Sequence, residues 1–181
     1  MRVAGLIAAA GKGQRAGGAK AVRIAGDDPR MFLDRSVSAM RSWGCCPVVA
    51  VVQEEHKALA RSFGAVAVVP TPLPEAMIDS LRAGIKYLER LSEVEAVLWS
   101  PVDCPLAIEV FARRAPPAEA LDCGKPVVAG FQGQAGHPVF LPRPLWGRLK
   151  EEIVGRVGAK AALSDAVLLN IALESLENRN R

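Results

Sequence analysis

The chain has 181 residues, of which half are hydrophobic and 23% are charged. This size and composition exclude a disordered chain and predict a single globular domain over residues 1–181. The four cysteines form no CxxC pair and have no histidines at zinc-ligand spacing, which argues against a zinc site and favours reduced thiols in the cytoplasm. The net charge of +4 is scattered, so we expect no nucleic-acid partner. No apolar run approaches the roughly 20 residues of a membrane helix, so we expect no membrane partner either.

Short apolar stretches alternate with segments of helical spacing along the chain. The stretches are typical of strands buried on both faces, and they run from Val3 to Ala10, Pro47 to Val52, Ala65 to Val69, Ala96 to Ser100, Pro126 to Gly130 and Pro138 to Leu141. Three helical stripes lie between or after them, at Phe32, Leu33, Val37 and Met40, at Met77, Leu81, Ile85 and Leu88, and at Leu145, Leu149 and Ile153. This alternation predicts an α/β fold with a mainly parallel sheet. The stretch from Gln132 to Gly136 is predicted to be a loop near the site.

The segment from Ala9 to Lys20 follows the first predicted strand and carries closely spaced glycines, among them Gly11 and Gly13. Glycines allow the backbone to turn sharply and to approach a ligand, so that successive N–H groups can point at phosphate oxygens. Arg15 and Lys20 add two cations to the same segment, which suits a triphosphate and the charge that develops during its transfer. We therefore predict a nucleoside triphosphate site here; the alternative is an ordinary surface loop.

Two other phosphate-binding patterns fit this segment less well. A P-loop needs a lysine that follows a glycine and precedes a hydroxyl residue, and the segment has none. The looser dinucleotide fingerprint is satisfied by Gly11, Gly13 and Ala16, with Glu54 where an acid would hold a ribose. The nearby Arg15 and Lys20 favour a more highly charged phosphate group.

A second candidate position is Asp103, which follows a buried strand at the end where open α/β sheets bind their ligands. One carboxylate, together with substrate phosphates and water, is enough to hold Mg²⁺, so Asp103 is a candidate magnesium ligand. The alternative is that Asp103 caps the helix that follows. Cys104 is interpreted as a packing residue, because no basic partner that would activate its thiol is evident.

Three motifs together resemble the signatures of the nucleotidyltransferases that complete the molybdenum cofactor. In chain order they are Ala9-Ala10-Gly11-x-Gly13-x-Arg15-x-Gly17-x-x-Lys20, Pro101-Val102-Asp103-x-Pro105 and Gly136-His137-Pro138-Val139. The resemblance spans most of the chain. It is closer to the cytidylyltransferases than to the guanylyltransferases, because the loop begins Ala-Ala-Gly and the third motif reads Gly-His-Pro-Val.

The resemblance implies a Rossmann-like nucleotidyltransferase fold of the nucleotide-diphospho-sugar transferase type, with three α/β/α layers. It also implies an Mg²⁺-dependent transfer in which a phosphate of molybdopterin, or of a similar phosphorylated acceptor, attacks the α-phosphorus of CTP, or less favourably GTP, and expels pyrophosphate. Its catalytic residues would be Arg15, Lys20 and Asp103, and its nucleotide site would contain Ala9, Ala10, Gly11, Gly13, Arg15, Lys20, Ser80 and Asp103. Gly136 and His137 would lie on the acceptor side; for His137 the alternative is that it only fixes its loop.

The sequence departs from the family pattern near its C-terminal end. Arg156 stands where relatives usually carry an acid, and Ala172 lies in a stretch that usually supplies a second metal ligand. Asn170 could still offer a carbonyl oxygen to Mg²⁺, beside Asp103. Two alternatives therefore stay open: a nucleotidyltransferase for a sugar phosphate or polyol phosphate, and a nucleotide-binding homologue that has lost catalysis.

Overall fold

The computed structural model describes residues 1–11, 19–24, 26–122, 124–151, 154 and 158–171. Within these ranges the chain forms one seven-stranded sheet in the order β3-β2-β1-β4-β6-β5-β7. The strands are β1 (Val3–Ala8), β2 (Val48–Val51), β3 (Val66–Val68), β4 (Ala96–Pro101), β5 (Val127–Phe131), β6 (Gln134–Pro142) and β7 (Val167–Asn170). The pairs β1–β2, β1–β4, β2–β3 and β5–β7 are parallel, and among these described strands only β6 runs antiparallel to its neighbours. The predicted α/β fold with a mainly parallel sheet is confirmed.

Four α-helices and several 3₁₀ helices connect the described strands. The α-helices are α1 (Phe32–Ser42), α2 (Lys57–Ser62), α3 (Met77–Leu88) and α4 (Pro105–Arg114). The 3₁₀ helices are Lys20–Val22, Glu54–His56, Ala118–Leu121, Arg143–Lys150 and Ala159–Leu163. The first two predicted stripes lie on α1 and α3.

The third predicted stripe needs correction. Leu145 and Leu149 lie in the 3₁₀ helix Arg143–Lys150, and Ile153 lies outside the described residues. Gly147 stands in the middle of that segment, and glycine weakens an α-helix by about 1 kcal/mol relative to alanine.

Helices cover both faces of the sheet. On one face α1 and α4 bury Leu33, Val37, Ile108 and Phe111 against the strands, and this cluster includes Ile7. On the other face α3 and the segment Arg143–Lys150 bury a second cluster, in which Leu6, Leu81, Ile85, Trp99 and Trp146 are the larger members. The central strands β1, β2 and β4 are buried on both faces because each of their faces meets a helix layer.

The segment predicted to be a loop at Gln132–Gly136 is a tight hairpin turn that leads directly into a strand. Gln132 and Gly133 both have positive φ values, 49° and 78°, which is the pattern of a two-residue turn of type I′. Strand pairing therefore resumes at once, with Phe131 opposite Gln134. Gly136 and His137 consequently belong to β6 rather than to a loop.

No helix in the described part of the chain combines the length and the apolar character that crossing a membrane requires.

The contact between α3 and β1 depends on the small size of Gly84. A Cβ atom at this position would collide with the side chain of Leu6, which is only 1% exposed and has little room to move. We expect Gly84→Ala to lower the free energy of unfolding by about 1–3 kcal/mol through overpacking. Gly147→Ala is the matched control, because a Cβ there meets no atom within 4 Å. Urea unfolding of both variants tests this, and equal stabilities would contradict it.

Candidate active site

The site begins where β1 and β4 end side by side. These strands pair in parallel from Val3 opposite Ala96 to Ala8 opposite Pro101. The pairing continues one residue further, because the N–H of Val102 donates to the carbonyl oxygen of Ala8 at 3.1 Å. The chain segments that follow the two strands therefore leave the sheet at the same edge, which is the edge where open α/β sheets bind ligands.

Lys20 and Asp103 meet at this edge although 83 residues separate them. The Nζ atom of Lys20 lies 2.5 Å from Oδ2 of Asp103. The two side chains are 40% and 34% exposed, so both remain accessible to a ligand. Helix α4 has Cys104 at its N-cap and no side-chain capping bond, so Asp103 does not cap it.

The first residues of the glycine-rich segment are held firmly by β2 and its continuation. The N–H of Ala9 donates to the carbonyl oxygen of Val51 at 2.8 Å, and the side-chain amide of Gln53 donates to the carbonyl oxygen of Ala10 at 3.1 Å. Ala9 and Ala10 are buried, whereas Gly11 is exposed. Sequence reasoning missed Gln53, although a polar residue directly after a buried strand is a signal for this edge. Gly13 and Arg15 lie outside the described residues.

Two further predicted residues lie on other elements, Ser80 on α3 and Asn170 on β7. Ser80 is in the first turns of α3 and is only 3% exposed, so the fold encloses its side chain. Asn170 is the exposed last residue of β7, and β6 and β5 lie between β7 and β4 in the sheet. Their roles as nucleotide contact and metal ligand stay predictions. Among the described residues, no group of three or more His, Cys, Asp or Glu side chains could hold a metal ion.

A pocket of about 230 Å³ lies between α4 and the strands β5, β6 and β7. Its lining joins α4, the end of β5, the start of β6 and the residue after β7, and consists of Ala107, Ala129, Gly130, Gln134, Ala135, Gly136, His137 and Ile171. The structure thus brings Gly136 and His137, the two residues predicted for the acceptor side, into one concave surface. This lining carries no formal charge when His137 is neutral.

The environment of His137 keeps its imidazole neutral near pH 7. Burial lowers the pKa of His137 to about 4, against an opposing effect from the Asp103 carboxylate. The ring packs edge-to-face on Trp99 with 4.8 Å between the ring centroids. Its buried Nδ1 atom has no hydrogen-bond partner in the described structure.

Cys104 lies next to Asp103, but its thiol is not activated. Burial raises the pKa of Cys104 to about 11, and the neighbouring Asp103 carboxylate raises it further than Lys20 lowers it. A thiol in this state is protonated at neutral pH and is a poor nucleophile. This agrees with its interpretation as a packing residue.

Comparison with known protein families assigns the chain to a family. The profile of the MobA-like NTP transferase domain matches residues 5–170, which is most of the chain. The chain belongs to this family. It is a nucleotidyltransferase of the MobA-like type, and the described ends of β1 and β4 both fall within the matched range. A search of curated proteins finds no match.

Solved structures share the fold of this MobA-like nucleotidyltransferase at low sequence identity. Rv0371c from Mycobacterium tuberculosis H37Rv superimposes with a TM-score of 0.72 at 18% identity, covering 95% of this chain and 89% of that one. A second structure of Rv0371c, a complex with manganese, has a TM-score of 0.66 at 16% identity with the same coverage of 95% and 89%.

Two further solved structures superimpose with TM-scores equal to each other. One is 4-diphosphocytidyl-2C-methyl-D-erythritol synthase from Anaerococcus prevotii, with a TM-score of 0.64 at 13% identity, covering 93% of this chain and 86% of that one. The other is molybdopterin-guanine dinucleotide biosynthesis protein A from Archaeoglobus fulgidus, with a TM-score of 0.64 at 13% identity, covering 94% and 84%. At these identities the likeness shows a shared fold.

The low pKa of His137 predicts a pH-dependent stability of this MobA-like chain. The unfolded imidazole takes up a proton below about pH 6.5, whereas the folded one does so only near pH 4. The unfolded state therefore binds more protons between these values, and the free energy of unfolding falls as the pH is lowered, by at most about 1.4 kcal/mol per pH unit. We expect His137→Phe, which keeps a ring against Trp99, to lack this part of the slope. Urea unfolding across this range measures it, and identical slopes would refute the assignment.

Proposed function

We propose that the chain transfers a nucleoside monophosphate, CMP in preference to GMP, from a nucleoside triphosphate to molybdopterin or a similar phosphorylated acceptor. An oxygen of the acceptor phosphate forms a bond to the α-phosphorus. The bond from that phosphorus to the bridging oxygen of the β-phosphate breaks, and pyrophosphate leaves with the electron pair. The acceptor attacks the α-phosphorus directly, so no covalent intermediate on the enzyme is required, and the protonated Cys104 thiol takes no part as a nucleophile.

The observation that carries this proposal is the contact between Lys20 and Asp103 at the shared edge of β1 and β4. A cation and a carboxylate that remain accessible at this edge offer two different functions to one triphosphate. Lys20 neutralises phosphate charge as it develops during transfer. The exposed backbone at Gly11, where a Cβ would meet no described atom within 4 Å, leaves space for phosphate oxygens to approach.

The Asp103 carboxylate also suits a divalent metal. Its oxygens are the hard ligands that Mg²⁺ prefers, and Mg²⁺ is usually held by one or two carboxylates with substrate phosphates and water completing its shell. Asp103 would hold the ion, with the side-chain carbonyl of Asn170 as the proposed second ligand. When bound, Mg²⁺ would withdraw charge from the triphosphate and make pyrophosphate a better leaving group. The manganese complex of Rv0371c supports a divalent ion in this family.

The pocket beside His137 supports an acceptor site. Its lining is largely apolar, and neutral His137 and the amide of Gln134 supply its hydrogen-bonding side chains. Such a surface suits the uncharged part of an acceptor, while the acceptor's phosphate would remain outside, towards the nucleotide. The pocket and the ion pair lie at the same edge of the sheet, because β6, which carries His137, pairs with β4, which ends just before Asp103.

A polyol-phosphate acceptor is the second candidate. The molybdopterin-guanine dinucleotide biosynthesis protein and the diphosphocytidyl-methylerythritol synthase superimpose on this chain with the same TM-score of 0.64 and the same identity of 13%. An acceptor screen separates the two candidates. Faster consumption of a polyol phosphate or sugar phosphate than of molybdopterin would overturn our preferred acceptor.

We expect Asp103→Asn to lower metal-dependent pyrophosphate release about a hundredfold or more, because the variant keeps the size of the side chain and loses the charge that binds the ion. Asp165→Asn is a matched control, since Asp165 also forms an exposed ion pair, with Arg148, at 2.5 Å. That variant should stay within about twofold of the wild type, as exposed pairs contribute little.

A wild-type rate in Asp103→Asn would exclude the metal role of this residue. If the wild type binds nucleotide but releases no pyrophosphate with any acceptor, the chain is a homologue that has lost catalysis.

The nucleotide preference is tested by thermal unfolding with Mg²⁺ and each of CTP, GTP, ATP and UTP. A ligand that binds only the folded state raises the melting temperature by mass action. We expect CTP to give the largest shift and Lys20→Met to reduce it, because that variant lacks a cation for the phosphates. A larger shift with GTP would reverse the proposed preference for cytidine.

A further inference from the structure

A second ion pair, Arg35 with Glu109, joins α1 to α4. Arg35 on α1 donates from Nε to Oε1 of Glu109 at 2.8 Å and from Nη2 to Oε2 at 3.0 Å. This is the two-pronged geometry in which a guanidinium and a carboxylate bind most specifically. The two side chains are 9% and 17% exposed, so the pair is far better shielded from water than Lys20–Asp103.

Each of these two helices is tied closely to one partner of the Lys20–Asp103 pair. On the side of α1, the N–H of Arg23 donates to the carbonyl oxygen of Lys20, and the N–H of Phe32 donates to the carbonyl oxygen of Arg23 at 2.8 Å. Two successive hydrogen bonds thus connect Lys20 to the first residue of α1.

On the side of α4, the helix begins at Pro105, directly after Asp103 and Cys104. The N–H of Ile108 donates to the carbonyl oxygen of Cys104 at 3.2 Å, which closes the first turn of the helix next to Asp103. Glu109 lies one residue further along the same helix. A displacement of α4 against α1 would therefore move Asp103 relative to Lys20.

We propose that Arg35 and Glu109 are positioning residues, which hold α1 against α4 and thereby keep Lys20 and Asp103 at the separation that the transfer requires. The inference rests on the proposed function of the Lys20–Asp103 pair. Exposed ion pairs of flexible side chains are weak and hold geometry poorly. The separation of Lys20 and Asp103 must then be set by the elements that carry them, and the largely shielded pair of Arg35 and Glu109 connects those elements.

Asp28 and Arg30 extend the cluster into the segment between Lys20 and α1. Oδ2 of Asp28 lies 2.7 Å from Nη2 of Arg30 and 3.5 Å from Nε of Arg35, and Arg30 also lies 4.0 Å from Glu109. Two acids and two cations thus surround one another, and hydrogen bonds from Arg30 lower the pKa of Asp28 to about 2. The cluster fixes this connecting segment as well as the two helices.

The main test is Glu109→Gln, which keeps the shape of the side chain and removes its charge. We expect kcat for pyrophosphate release to fall at least about tenfold, since a small misplacement of catalytic groups is costly. KM for the nucleotide should change much less, because Glu109 is not proposed to contact the substrate. An unchanged kcat would overturn the proposal.

Loss of stability alone must be separated from loss of positioning. Val37→Ala removes buried volume from α1, in the same helix layer, and leaves the ion pair intact. We expect this control to lower the melting temperature but to keep kcat when measured well below the transition. If it lowers kcat as much as Glu109→Gln does, the effect of Glu109 is merely structural. Arg35→Lys keeps the charge but loses the two-pronged contact, and should give an intermediate kcat even if Glu109→Gln folds poorly.

A readout without catalysis is the rate at which acetic anhydride labels the Lys20 amine, measured by mass spectrometry. We expect Glu109→Gln to raise this rate severalfold toward the value in Asp103→Asn, in which the direct partner is altered. Glu89→Gln is the matched control, because Glu89, which follows α3, pairs with Lys150 at 2.6 Å and belongs to neither α1 nor α4. It should raise labelling of Lys150 and leave Lys20 unchanged.

Unchanged labelling of Lys20 in Glu109→Gln would overturn the positioning role. This experiment needs no acceptor, so it tests positioning even if the wild type transfers nothing and the proposed function fails.

Discussion

The parallel pairing of β1 with β4 is the constraint on which the rest of the site depends. Six residues of each strand are in register, and the bond from Val102 to Ala8 extends the pairing to the edge of the sheet. Both strands are buried on both faces, so a shift of register would break backbone hydrogen bonds that water cannot replace. The positions of Ala9, Ala10 and Asp103, which follow these strands, are therefore set by the core of the sheet.

The antiparallel strand β6 brings a third group of residues to the same edge. Val139 pairs with Trp99 near the end of β4, and because β6 runs in the opposite direction, the residues before Val139 continue toward the edge where β4 ends. A parallel strand would have presented its carboxyl end there instead. The reversal places His137 and Gly136 beside the pocket, where the indole of Trp99 supports the His137 ring. The hairpin turn at Gln132 and Gly133 makes this arrangement possible, since it reverses the chain within two residues.

The sequence predicts those parts of the fold in which apolar residues form short runs typical of buried strands or repeat with the spacing of a helix. The doubly buried strands and the stripes of α1 and α3 are of this kind, as is the meeting of Asp103 with the end of β1 once a parallel sheet is assumed. A helix after Asp103 was considered only as the element that Asp103 would cap, and α4 begins there at Pro105. Strand β7 is not among the predicted stretches, and its four residues are only partly buried or exposed. The pair Arg35–Glu109 joins residues 74 apart, and no local pattern marks such a contact. Gly13, Arg15, Arg156 and Ala172 lie outside the described residues, so their roles stay predictions.

The two ion pairs near the site differ in burial, and this difference separates their functions. Lys20 and Asp103 are exposed, so their attraction is screened and contributes at most about 1 kcal/mol to folding. Little free energy is then lost when either group turns to a phosphate or a metal ion, which is what a site that exchanges ligands requires. Arg35 and Glu109 are shielded, and removing one partner would leave a poorly hydrated charge behind. The part-buried pair therefore resists rearrangement, whereas the exposed pair permits it. The Lys20–Asp103 pair can thus open to exchange ligands, while the Arg35–Glu109 pair keeps the helices, and with them the geometry for transfer, in place.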